Sequence, residues 1–130
     1  MAGARWVQQT VLASNVDAPV RVYAIWFKMY PGDAQDRWRA NLLSDERVRH
    51  YWDETRAVGR LYLQLLPRFW PARAAETIVP QADALWDAYL LYPAEARWDD
   101  APPAAVISWG STILQTQETL RRDILRLAKD

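Results

Sequence analysis

Apolar residues fall into two spacings along the chain. Ala4, Val7, Val11 and Leu12 share one helical face, so a short helix is expected over residues 6–14, ended by Ser14-Asn15 and Pro19. Residues 20–29 (VRVYAIWFKM) are apolar at both odd and even positions, the pattern of a central strand covered by helices on each side. After the turn Tyr30-Pro31-Gly32-Asp33, the series Ala34, Trp38, Leu42 predicts a helix over residues 34–43, with Asp33 as its cap and Asp36 in its first turn. Residues 47–52 (RVRHYW) alternate: Val48, His50 and Trp52 share one face, and Arg47, Arg49 and Tyr51 the other. This predicts a strand near a sheet edge. Asp53 reads as the cap of a helix over residues 54–66, marked by Val58, Leu61, Tyr62, Leu65 and Leu66 and stopped by Pro67.

The second half is less periodic. Residues 67–81 hold three prolines and two aromatics, with room for a short helix at 72–77 or a packed loop fit for a lid or docking role. Two further strands are expected at 85–92 (LWDAYLLY) and 104–109 (AAVISW), separated by a polar loop and broken after Trp109 by Gly110. Ile113-Leu114 could add a short strand after that turn. The last helix is expected over residues 116–129, with Leu120, Ile124 and Leu127 inward and Glu118 and Lys129 suited to the helix dipole. A parallel β-α-β half followed by an antiparallel hairpin and a closing helix is the expected plan.

Composition narrows the functions open to this plan. The chain of 130 residues fits one domain, residues 1–130, and is about half apolar. Sixteen basic and sixteen acidic residues cancel, so no long-range field gathers nucleic acid or an anionic membrane. No apolar run approaches the roughly 20 residues of a membrane span, and the N-terminal stretch does not read as a secretory signal, so a cytoplasmic location is expected. There is no cysteine, which excludes thiol–disulfide exchange by this chain and any cysteine-held metal. Eight tryptophans suggest core mass or an interface, with sugar stacking as the alternative.

Candidate chemistry is thin. His50, the only histidine, could act as a general base oriented by Asp53 or Glu54, or as one metal ligand. No second histidine or nucleophile motif supports it, so a sheet histidine with a hydrogen bond is preferred. Asp33 and Asp36 stand at a strand-to-helix junction, where α/β folds gather ligands, and could hold Mg²⁺. Capping explains both without a metal. Asp99-Asp100 with Glu95 reads as a solvated turn, and Asp87 as one half of an ion pair with an arginine. There is no phosphate loop, G-x-S-x-G, H-E-x-x-H or EF-hand pattern, so neither cofactor nor metal is expected.

Three segments, VYAIWFKMYPGD, DERVRHYWDE and LWDAYLLYPAEARWDDAPP, resemble a group of small uncharacterised bacterial thioredoxin-like proteins that lack Cys-x-x-Cys. The matching features are Trp26, the block from Arg47 to Asp53, Trp86-Asp87 and Arg97-Trp98. The resemblance implies an α/β thioredoxin-like fold, with a central mixed sheet of four or five strands flanked by helices. Where thioredoxins carry their thiols, this chain has MYPGD at 29–33, and residues 81–84 (QADA) lack the proline that precedes the third core strand. Pro80 and Pro103 are the alternatives for it. The implied function is a redox-inactive binding domain whose partner is a second copy or another protein. The alternatives are an enzyme using Asp33, Asp36 and His50, or a small-molecule or glycan binder using exposed tryptophans.

Overall fold

Side-chain alternation organises the first sheet. In the computed structural model, which describes residues 2–35, 40–69 and 83–129, strand β1 (Val22–Trp26) runs parallel to β2 (Val48–Trp52). The register sets Val22 opposite Val48 and Trp26 opposite Trp52. Helix α1 (Ala2–Trp6), which widens into a π-helical turn at Val7–Leu12, supplies the cover for one face. Leu12, Leu43 and Val48 are buried there, with Val7, Val22, Ala24 and Trp26 packed around them. The helix begins four residues before the expected start. It is closed by Asn15, whose Nδ2 donates to the Val11 carbonyl at 2.8 Å, and by Ser14, whose Oγ donates to the Gln9 carbonyl at 3.0 Å.

The expectation that β1 is covered on both sides is corrected. Its burial alternates, and Tyr23 and Ile25 remain 56 % and 38 % exposed. An apolar run shows that both faces could be buried, not that a second layer arrives to bury them. The strand that alternates in sequence, β2, alternates in structure as read: Val48, His50 and Trp52 turn inward and Arg49 and Tyr51 outward. Of the helix expected at 34–43, residues 36–39, including Asp36, lie outside the described residues. The next described element is one 3-10 turn, Ala40–Leu43, rather than an α-helix.

Helix α2 (Ala57–Phe69) starts three residues later than expected. Asp53 does cap it: its two oxygens accept the N–H groups of Ala57 (2.9 Å) and Val58 (2.8 Å). The extra distance is taken up by Arg56 at φ 59°. Pro67 does not stop the helix. It falls in the final turn, where a missing N–H removes one bond, and the helix reaches Phe69. The helix considered at 72–77 and most of the proline-rich segment lie outside the described residues.

Strand β3 (Ala88–Leu91) pairs antiparallel with β4 (Ser108–Ser111). Gly110 lies within β4 instead of breaking it. A Cβ at this position would overlap the Thr116 side chain, so the glycine lets the turn before the last helix close onto the strand. Ile113 and Leu114 belong to that turn and form no strand. Helix α3 (Gln117–Lys129) buries Leu120 and Asp123, while Leu127, expected inside, is exposed. Tyr62 and Leu66 of α2 close over Leu85 and Trp109, forming the second core.

The molecule is therefore mixed α/β. Its strand senses, one parallel pair and one antiparallel pair, are those expected. The single central sheet is not formed among the described residues: β1 pairs with β2, β3 pairs with β4, and no ladder joins the two. No helix among the described residues is long and apolar enough to cross a membrane.

Candidate functional site

The inner face of the first sheet carries the candidate histidine. Trp26 and His50 lie on adjacent strands, and the Trp26 indole N–H donates to His50 Nδ1 at 3.0 Å. An indole nitrogen can only donate, so Nδ1 is the acceptor and Nε2 bears the proton. Nε2 then donates to the Leu43 carbonyl at 2.9 Å. The two rings stack with centroids 6.2 Å apart. The lone pair a general base would use is thus occupied by an indole, and the other nitrogen ties β2 to the 3-10 turn. Glu54, one of the proposed orienting carboxylates, instead accepts the Trp52 indole N–H, and Asp53 caps α2.

Asp33 is likewise held locally. One carboxylate oxygen accepts the N–H groups of Tyr30 (2.8 Å) and Met29 (2.9 Å), closing the turn behind it rather than capping a helix ahead. Those two N–H groups hold the Asp33 carboxyl below the ordinary carboxylate range. Among the described residues no group of three His, Cys, Asp or Glu side chains could hold a metal ion.

A polar cluster beside the histidine had no clear signal in the sequence. The Arg47 guanidinium donates to Asp45 through Nε (2.8 Å) and Nη2 (2.7 Å). It also reaches the carbonyls of Leu12 (2.8 Å), Asn15 (2.8 Å) and Ala18 (3.1 Å). These carbonyls lie at and just beyond a helix C-terminus, where a cation is favourable, and each also accepts a backbone N–H from the following turn. The Arg47 contact holds the Asp45 carboxyl down to about 2. This is a structural clamp between the first helix and the start of β2. Asp87, expected to pair with an arginine, has no such partner among the described residues. Arg56 pairs instead with Asp83 at 3.0 Å, and Asp87 lies against Gly3.

The outer face of the sheet is chemically different. Tyr23, Ile25, Arg49 and Tyr51 stand together on it, with Tyr51 50 % exposed and the two tyrosine rings 6.4 Å apart. In the second half, Tyr62 and Tyr92 share a 2.7 Å hydroxyl hydrogen bond, and burial pushes both phenols up, so neither ionises near neutrality. Trp98 meets the Tyr62 ring edge-on, with centroids 5.9 Å apart. Of the six described tryptophans, Trp86 and Trp98 are exposed, Trp109 is fully buried, and Trp6, Trp26 and Trp52 are half-buried. The sequence could have marked the outer face through the alternation of residues 47–52. The continuous apolar run of β1 hid its other half.

No protein-family model, curated protein or solved structure matches this chain.

Proposed function

We propose that this chain is a redox-inactive thioredoxin-like interaction domain that self-associates through the uncovered surface of its β1–β2 sheet. The open face carries the reading. A parallel sheet is normally covered on both faces. Here Tyr23, Ile25 and Tyr51, with Arg49 among them, leave one largely apolar face exposed. The element order and strand senses support the thioredoxin-like part, and the absence of cysteine removes the thiol chemistry of that fold. Zero net charge places no long-range repulsion between copies.

Sedimentation equilibrium from micromolar to millimolar concentration tests this. The weight-average mass is expected to rise from one chain toward two. A single-chain mass throughout would overturn self-association. A second reading, a glycan or small-molecule binder, rests on Trp86 and Trp98, which are 40 % and 48 % exposed. Quenching of tryptophan emission on titration with oligosaccharides, lost in Trp98→Ala, would favour it.

A further inference from the structure

We infer that the groove between the first helix and α3 binds a small carboxylate with an apolar chain, its carboxylate on Arg121 and its chain along Val11, Ile124 and Leu125. None of the lining residues belongs to the β1–β2 sheet, so the site stands whether or not the chain self-associates.

Two helical ridges make the groove. Thr10, Val11 and Ser14 line it from the first helix and the turn that ends it, and Arg121, Ile124 and Leu125 line it from α3. Residues three and four apart share a helix face, so Ile124 and Leu125 stand one turn beyond Arg121. The charged group therefore lies at one end of an apolar stretch. Val11 is buried, Ile124 is half-buried and Leu125 is exposed, which gives a chain both a covered and an open apolar wall. The volume is about 240 Å³. Drug-sized ligands take roughly 300–1,000 Å³, so the occupant is smaller, a short chain with one polar head.

Charge selects that head. Arg121 is the one charged side chain lining the groove among the described residues. Its guanidinium makes no hydrogen bond or ion pair among the described residues, so its donors are free for a ligand. A guanidinium matches a planar carboxylate through two parallel N–H···O bonds. One cation answers one negative charge, which favours a carboxylate over a phosphate dianion. The C-terminus of the first helix would repel an anion, but its carbonyls are engaged by donors. The Gln9 carbonyl accepts Ser14 Oγ at 3.0 Å, the Val11 carbonyl accepts Asn15 Nδ2 at 2.8 Å, and the Leu12 carbonyl accepts Arg47 Nη2 at 2.8 Å.

The test is an NMR chemical-shift titration of the whole chain with hexanoate, and with hexan-1-ol as its uncharged match. Hexanoate is expected to bind saturably in the millimolar range and to shift the methyl signals of Val11, Ile124 and Leu125. It should bind at least about threefold more tightly than hexan-1-ol, a comparison that needs no variant. Arg121→Gln is expected to weaken hexanoate at least about threefold and to change hexan-1-ol less than about twofold. Arg126→Gln, on the same helix but outside the groove, is expected to change hexanoate affinity less than about twofold. Shifts that do not saturate overturn the site. Equal affinities for the acid and the alcohol overturn the role of Arg121 and with it the ligand class. Saturable shifts centred on Trp86 and Trp98 rather than on the groove overturn its location.

Discussion

In the second half of the chain Trp109 is completely enclosed by Tyr62, Leu66 and Leu85, whereas in the first half Tyr23 and Tyr51 stand half in solvent. Both regions pair two short strands and pack helical structure against them. They differ in what the strand pairing leaves available. The antiparallel hairpin turns Trp109 into a core that α2 covers. Among the described residues the parallel pair has one helical cover, and Tyr23, Ile25 and Tyr51 on its second face are exposed. Its covered side is also more polar, with His50 bridging Trp26 and Leu43 and Arg47 gathering three carbonyls. The second half thus draws its stability from enclosed volume, and the first depends more on directional bonds and leaves apolar surface for another molecule.

This contrast orders the expected effects of substitution. Trp109→Ala should lower unfolding free energy by about 3–5 kcal/mol in urea titrations, through lost transfer energy and a cavity. A loss similar to that of a surface change would mean that the second half is not the better-packed region. Gly110→Ala should cost about 1–3 kcal/mol, because the added methyl meets Thr116. His50→Ala should cost about 1–2 kcal/mol, since the Trp26 indole loses its acceptor and the Leu43 carbonyl its donor; His50→Gln, which can restore one bond, should recover part of it.

Asp45 supplies a pH test of the first half. Its folded value lies below its ordinary 3.8, so the stability it contributes is present above that value and is lost as pH falls through about 2. The stability gap between the wild type and Asp45→Asn should be constant from neutrality to about pH 4 and close between there and about pH 2. A gap independent of pH over that range would remove the Arg47–Asp45 clamp as its source. The smallest effect is expected on the open face: Tyr51→Ala should change monomer stability by less than about 0.5 kcal/mol. A larger loss would show that the face is covered within one chain.

Periodicity located the strands and the longer helices of the described residues to within a few positions, whereas the helix expected over 34–43 is met by one 3-10 turn at Ala40–Leu43. The alternation of residues 47–52 assigned β2 its inner and outer faces, and Asp53 was legible as a cap because carboxylates before a helix take its free N–H groups. Boundaries failed where tertiary contacts act. Gly110 reads as a breaker until Thr116 is seen above it, and Pro67 reads as a stop until its place in a final turn is known. The bond from Trp26 to His50 joins residues 24 apart and depends on the strand register, so no local pattern announces it.

The amino-acid sequence by itself determined the mixed α/β class, the strand senses and the absence of thiol chemistry, because spacing, connection length and residue inventory dictate them. Only the tertiary structure decided which apolar face is covered and which nitrogen of His50 carries the proton. Those depend on layers and register, which are set by contacts between residues far apart in the chain.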